Sequence, residues 1–243
     1  MWKLMLLTLA LAIGVPALSS SVLAEDKQAQ EILQRAIEAA GGEGRLSTLK
    51  FPMMWMERGT YYGEGEGIHY VAQYAAKWPD WFRQEIENAF TITVSGKKAW
   101  VSSAAGVQKL AGVPLEERLK LVRLAWAERL FPLTGKAYTL STIDGIEVNG
   151  RPTVGFKASH ADGGDFRFFF DKETYRIAKI ETMVISPQHG PEPVLREAFY
   201  TGRTSYGPSK FKLIYDQELF VEGETIDYKV RATLNPKHFE EPE

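Results

Sequence analysis

Cysteine is absent from the 243 residues. That excludes a disulfide framework, a thiolate metal site and a cysteine nucleophile. An excess of either charge is missing too: 29 Lys and Arg face 31 Asp and Glu, for a formal net charge of −2. Such a chain has no basic footprint for nucleic acid. The four histidines, His69, His160, His189 and His238, show no pair at ligand spacing on one element, so no metal site is expected. Ser102, Ser103, Ser205 and Ser209 sit in no G-x-S-x-G elbow. Gly63-x-Gly65-x-Gly67 departs from the dinucleotide fingerprint, and Asp162-Gly163-Gly164-Asp165 is too short for a calcium loop. Beyond residue 24 no apolar run reaches the 18 residues that would suggest a membrane span.

What is present begins with an address. Met1-Trp2-Lys3 gives a positive start, and Leu4 to Leu18 is apolar but interrupted by Gly14 and Pro16. Val22 and Ala24 are the small residues of a signal-peptidase site, with cleavage before Glu25. Residues 1–24 are therefore expected to be a signal peptide and 25–243 a single domain, exported and periplasmic. A cysteine-free chain needs no disulfide in an oxidising compartment. At 44% apolar and 12% aromatic residues, it can bury a substantial core.

The mature chain opens with a helical pattern over Glu25–Ala40, with Ile32, Leu33, Ala36, Ile37 and Ala40 on one side and Gly41-Gly42 as its stop. From Phe51 the period changes to two. Met53-Met54-Trp55-Met56 opens a strand that Gly59 and the Gly63–Gly67 turn are expected to close. Strands follow around Tyr70, Phe82, Ile92 and Trp100. Pro114–Phe131 breaks the pattern: Leu115, Leu119, Val122, Trp126 and Leu130 predict an amphipathic helix. Asp144-Gly145 and Asn149-Gly150 are hairpin-type turn signals. Further strands are expected at Phe166–Phe170, Ile177–Ile185, Leu195–Tyr200, Phe211–Tyr215 and Ile226–Leu234. Ten or more strands at hairpin spacing in one antiparallel sheet would curl strongly. The expected fold is mainly β: a single curved antiparallel sheet, an incomplete β-barrel, whose concave face is covered by the N-terminal and mid-chain helices.

The order of these features resembles one known family. A leader precedes a helix ending Ala39-Ala40-Gly41-Gly42, and a long β meander follows. The meander carries Val94-Ser95-Gly96-Lys97-Lys98-Ala99-Trp100, Asp144–Pro152 and Phe169-Phe170-Asp171-Lys172-Glu173-Thr174. The chain ends with Asn235-Pro236, Phe239 and Pro242. Over nearly all of residues 26–243 this is similar to the exported LolA/LolB-like superfamily of outer-membrane lipoprotein-sorting domains. The resemblance implies an incomplete barrel whose helices lid an apolar cavity, which in carrier members holds acyl chains. None of the carriers' functional residues is assigned to a position here.

Candidate ligand contacts come from the residues themselves. Thioethers adapt to varied apolar shapes, which draws attention to Met54 and Met56 beside Trp55. Tyr70, Tyr74, Phe82, Trp100, Phe168 and Tyr228 share the apolar parity of their strands and are expected to converge if the sheet curls. Trp126, on the mid-chain helix, is placed to plug the cavity mouth. Glu85 and Glu87 share one strand face and read as a wet surface. The function expected is a non-enzymatic carrier or binding protein for a lipid, a lipoprotein acyl chain or a similar apolar ligand. It would need no cofactor, and an envelope lipoprotein or membrane protein would be its partner. The alternative is an envelope structural or interaction protein of the same fold without a ligand.

Overall fold

A computed structural model describes residues 26–186, 188–203 and 207–242. The leader, its cleavage site and Ser205 lie outside them.

Helix α1 (Lys27–Ala39) starts where Asp26 caps the Ala29 amide at 3.1 Å. It ends in a Schellman motif: Gly42 N–H bonds the Ile37 carbonyl, Gly41 N–H bonds that of Glu38, and Gly41 takes φ +109. Ile32, Leu33, Ala36 and Ile37 are buried, as the sequence pattern predicts. The short helix α2 (Glu43–Leu46) and a 3-10 turn lead into the sheet.

Among the described residues fourteen strands then follow: β1 Met53–Tyr61, β2 Ile68–Lys77, β3 Trp81–Ile86, β4 Phe90–Ser95, β5 Lys98–Ser103, β6 Gly106–Lys109, β7 Tyr138–Ile143, β8 Glu147–Val148, β9 Arg151–His160, β10 Asp165–Asp171, β11 Ile177–Val184, β12 Val194–Thr201, β13 Lys210–Tyr215 and β14 Glu218–Val230. The order across the sheet is β6-β5-β4-β3-β2-β1-β14-β13-β12-β11-β10-β9-β7, with β8 a side branch on β9. Every pairing is antiparallel, and the sheet does not close: β6 and β7 are its two edges. Buried side chains of both halves share one core. Phe82, Ile92 and Val94 come from β3 and β4; Leu140, Phe156, Phe166, Phe168 and Phe170 come from β7, β9 and β10. The sheet is thus an incomplete barrel folded around α1 and helix α3 (Gly112–Ala127), which runs between its two edges in sequence.

Several local expectations change. β1 runs through Gly59 instead of ending there, because Gly59 pairs with Gly223 of β14. A Cβ on Gly59 would overlap the Glu222 carbonyl oxygen and Gly223, so the strands approach this closely only with glycine at the contact. β14 begins eight residues earlier than the Ile226 start and stops at Val230, where Arg231 turns to φ +60. Asn149-Gly150 makes the expected turn, both residues at positive φ. Asp144-Gly145 does not join a hairpin: β7 and β8 both pair with β9, and Gly145 packs against the Thr153 carbonyl. The single apolar stripe expected of α3 is also replaced. Leu124, about half a turn from Trp126, is buried together with Val122 and Ala127, because the helix touches both halves of the sheet.

Asp26 also staples α1 to the sheet. Its carboxylate accepts the Thr142 amide at 2.7 Å and the Thr142 hydroxyl at 2.7 Å. These bonds, with that from Ala29, hold its carboxyl below the usual aspartate value. A carboxyl with a depressed folded pKa stabilises the fold above its unfolded pKa and loses that contribution as pH falls through the folded one. Asp26→Ala is expected to cost about 1–2 kcal/mol at pH 7, with the gap from wild type shrinking as pH falls below 4. Denaturant melts at the two pH values test this; an equal gap at both would refute the ionic staple.

Candidate functional site

The concave face of β14, β1, β2 and β3 carries a wall of rings. Trp55 lies between Tyr74, stacked at 4.8 Å and 2°, and Tyr228, stacked at 5.9 Å and 17°. Phe82 tilts against Trp55 and Tyr74, and Trp78 against Phe82. Trp126 of α3 stacks on Trp78 at 5.4 Å. A bulge in the β1–β14 pairing between Met54 and Met56 brings Tyr228 beside Trp55. The Trp78 indole N–H and the Tyr228 hydroxyl both point at the Met53 sulfur, at 3.2 and 3.4 Å.

Charged groups close over this wall. The Arg129 guanidinium lies 5.3 Å from the Trp55 ring and 5.7 Å from Tyr228. It is placed there by a γ-turn: Leu130 holds φ +62 and ψ −45, and Phe131 N–H bonds the Arg129 carbonyl at 2.7 Å. This backbone is strained, and such strain persists only where surrounding structure enforces it. Glu57, two residues from Trp55 on the same face, accepts the Trp55 indole N–H at 3.2 Å. Burial pushes its carboxyl up to about 7, against hydrogen bonds from Tyr74 and Trp55 and the charge of Arg129. Burial and the Glu57 charge raise Tyr74 well above its usual value, while Gln84 donates to the Tyr74 oxygen at 3.0 Å.

The neighbouring wall is also polar. The Tyr200 hydroxyl donates to Glu128 at 2.7 Å. Burial works against the charge on Arg196, but Tyr215, Tyr200 and Glu128 outweigh it and hold the guanidinium above its ordinary value. Burial lowers Arg118, which extends from α3 toward Tyr215 and Tyr74. Arg129 Nε and Arg196 Nη1 are out of solvent and find no hydrogen-bond partner among the described residues.

Of the residues singled out from sequence, Trp55, Tyr74, Phe82 and Tyr228 meet in one stack. Tyr70 faces the same hollow further along, over the Gly59–Gly223 pair. Phe168 is fully buried in the other half of the sheet, among Phe156 and Phe170. Met54 and Met56 point the other way from Met53 and Trp55, and Met54 is exposed. Trp100 does not converge with the ring group. It alternates with Ala99 and Val101, which face the core, so it lies on the outer face. Glu85 is ion-paired to Arg83 at 2.9 Å on the outer surface. Sequence reading passed over Glu57, Trp78, Arg118, Glu128, Arg129, Arg196 and Tyr200. The alternation Met53-x-Trp55-x-Glu57 and Arg196-x-Ala198-x-Tyr200 contained a signal for three of them.

The hollow is occupied by buried side chains from both halves of the sheet. A crevice of about 80 Å³ lies between the C-terminal ends of α1 and α3 and is lined by Ala36, Ala40, Glu128, Arg129, Tyr175 and Arg203, among others. That is well short of the roughly 300–1,000 Å³ of a small-molecule pocket. A wider, open depression of about 500 Å³ lies over Gly59 and Gly223; Arg58, Glu222 and Glu224 border it, but its lining is mostly apolar. Among the described residues no three His, Asp or Glu gather as a metal would require, and no helix is long and apolar enough to cross a membrane.

No protein-family model matches the chain, and no curated protein matches its sequence. Solved structures do. A LolA-superfamily protein from Nitrosomonas europaea aligns over 87% of this chain and 97% of its own, at 13% identity and a TM-score of 0.56. An outer membrane lipoprotein-sorting protein domain from Vibrio parahaemolyticus aligns over 88% and 96%, at 12% identity and a TM-score of 0.53. A DUF1329-family protein from Desulfovibrio piger aligns over 87% and 97%, at 10% identity and a TM-score of 0.56. The chain has the fold of the LolA superfamily.

Glu57 offers a test of the buried cluster. Its folded carboxyl titrates near 7 against an ordinary value of 4.5. The folded state therefore carries a penalty that is absent below pH 4.5, grows between the two values and is complete above 7. Glu57→Gln mimics the protonated form. It is expected to stabilise the protein by up to roughly 3 kcal/mol at pH 8 and to change little at pH 4.5. Thermal melts across this range check it; a shift independent of pH would be the contrary result.

Proposed function

We propose that this protein is an exported, non-catalytic carrier or binding protein for an amphiphile with an acyl chain, a lipid or the acyl chain of a lipoprotein. The observation that carries the reading is the lid. α3 follows one edge strand and precedes the other in sequence, and it packs on both halves of the sheet, through Trp126 on Trp78 and through hydrogen bonds to Met183, Gly163, Ile185 and Tyr138, with apolar side chains on opposed sides of the helix. Beneath it is a concave wall of Trp55, Tyr74, Phe82, Trp78 and Tyr228. Moving α3 away would expose this wall, and each buried methylene of a chain laid against it would contribute about 0.8 kcal/mol without any polar motif. The fold shared with a lipoprotein-sorting domain and the leader-like composition of residues 1–24 support export to the periplasm, with cleavage after Ala24. They also support an envelope lipoprotein or membrane protein as the partner.

A second reading, an envelope interaction protein that kept the fold and filled its hollow, draws on the small volume of the crevice. The two separate by experiment. A polyene fatty acid added to the purified protein is expected to bind saturably and to quench tryptophan emission by energy transfer, because Trp55, Trp78 and Trp126 line the hollow. Trp126→Ala removes the ring stacked on Trp78. It is expected to cost about 3 kcal/mol of stability and to speed probe uptake severalfold by loosening the lid. Absence of saturable binding would favour the filled-hollow reading. Normal uptake by a destabilised Trp126→Ala protein would exclude α3 as the gate.

A further inference from the structure

We infer that the crevice at the C-terminal end of α3 takes the anionic head of the amphiphile, a carboxylate or phosphate, with Arg129 as the group that holds it. The inference rests on the carrier reading and adds the charge of the ligand to it.

Three guanidiniums, Arg129, Arg176 and Arg203, border the crevice. The one carboxylate among its lining residues, Glu128, already accepts the Tyr200 hydroxyl. The ends of α1 and α3 each turn roughly half a negative charge toward this region. Three full positive charges outweigh that and Glu128 together. Among the described residues Arg129 Nε lacks a partner. Native proteins seldom leave buried donors unmet, and a guanidinium is the donor that matches carboxylate or phosphate in a planar fork. The size agrees. About 80 Å³ holds two or three waters at ~30 Å³ each, enough for a head group and too little for a long chain. The direction agrees as well. Arg129 lies over Trp55 and Tyr228, so a head held at Arg129 starts its tail at the ring wall.

The test compares cis-parinaric acid with parinaryl alcohol, which has the same chain and no charge, on the purified mature chain at pH 8 and low salt. The acid is expected to bind roughly tenfold more tightly or better. Arg129→Gln is expected to bring the acid-to-alcohol ratio near one and Arg129→Lys to keep part of it. Circular dichroism melts establish that each variant is folded. Should Arg129→Gln not fold, exposed Arg176→Gln is expected to lower the ratio severalfold. Equal binding of acid and alcohol by the unmodified protein, or a ratio untouched by the variants, overturns the inference and leaves the carrier reading standing. Inorganic phosphate that removes the advantage of the acid shows that a free anion takes the same site. Phosphate binding that depends on Arg129 while neither polyene binds overturns the carrier reading and assigns the crevice to a free anion. Binding of none of the three overturns both.

Discussion

The pairing of β1 with β14 is the constraint on which the architecture depends. Strands β1–β6 form one meander and β7–β14 another, built of neighbours in sequence except that β7 skips β8 to pair with β9. Among the described residues only the β1–β14 ladder joins them, between residues as far apart in sequence as Met53 and Val230. Glycines meet at its middle, Gly59 against Gly223, and a bulge displaces the register at Trp55. The seam thus does two things. It makes one sheet of two, leaving β6 and β7 as the free edges. It also sets Tyr228 of the last strand beside Trp55 of the first, so the ring stack straddles the join between the halves. Contacts this distant in sequence make for slow closure, because loop entropy is spent before the pairing rewards it.

The contents of the hollow argue against stability as their purpose. A core filled only to be stable would use groups like the Phe156, Phe166, Phe168 and Phe170 cluster on the other half, which is fully buried and without charge. The surroundings of the ring stack instead hold Glu57, Glu128, Arg118, Arg129 and Arg196. Replacing buried ion clusters with apolar side chains is often neutral or stabilising, whereas leaving one charge unmatched is expensive. A carboxyl pushed up to about 7 and two guanidinium donors without partners are signs of an environment not fully satisfied by its own residues. Perturbed groups of this kind concentrate at functional sites.

How much of this was legible in the sequence follows from which signals are local. α1 could be read because its apolar spacing and Gly41-Gly42 stop lie within one helix. The Asn149-Gly150 turn could be read because two residues fix it. β14 was read only from Ile226 on. Its first half, Glu218-Leu219-Phe220-Val221-Glu222-Gly223-Glu224-Thr225, carries charge and glycine where a strand pattern expects apolar alternation, and partnership with β1 and β13 makes it a strand. Parity puts Tyr70, Tyr74, Phe82 and Tyr228 on the face that meets Trp55. It failed for Trp100 because both faces of β5 are partly covered, so apolar character does not say which side is the core. Arg129 had no local signal at all: its position comes from the γ-turn at Leu130, a backbone state that leucine rarely adopts.

The polar ties of α3 give the proposed lid a direction. Glu117 accepts the Ile185 amide at 3.2 Å, Lys120 donates to the Met183 carbonyl at 2.8 Å, Arg123 donates to the Gly163 carbonyl at 3.1 Å, and Tyr138 donates to the Arg123 carbonyl at 3.1 Å. All four partners belong to the β7–β14 half. Toward the β1–β6 half the helix offers aromatic and aliphatic contact, led by Trp126 on Trp78, with Arg118 reaching toward Tyr74 and Arg129 lying over Trp55, but among the described residues no hydrogen bond joins it to that half. Apolar contact is non-directional and can be exchanged for contact with a hydrocarbon chain at little net cost, whereas the four hydrogen bonds would have to be replaced one by one. On the carrier proposal, the helix therefore parts from β1–β6 and stays with β7–β14. The hollow opens along the short edge strand β6, and Arg129, just past the end of the same helix, remains near Tyr200 of β12, whose hydroxyl donates to Glu128.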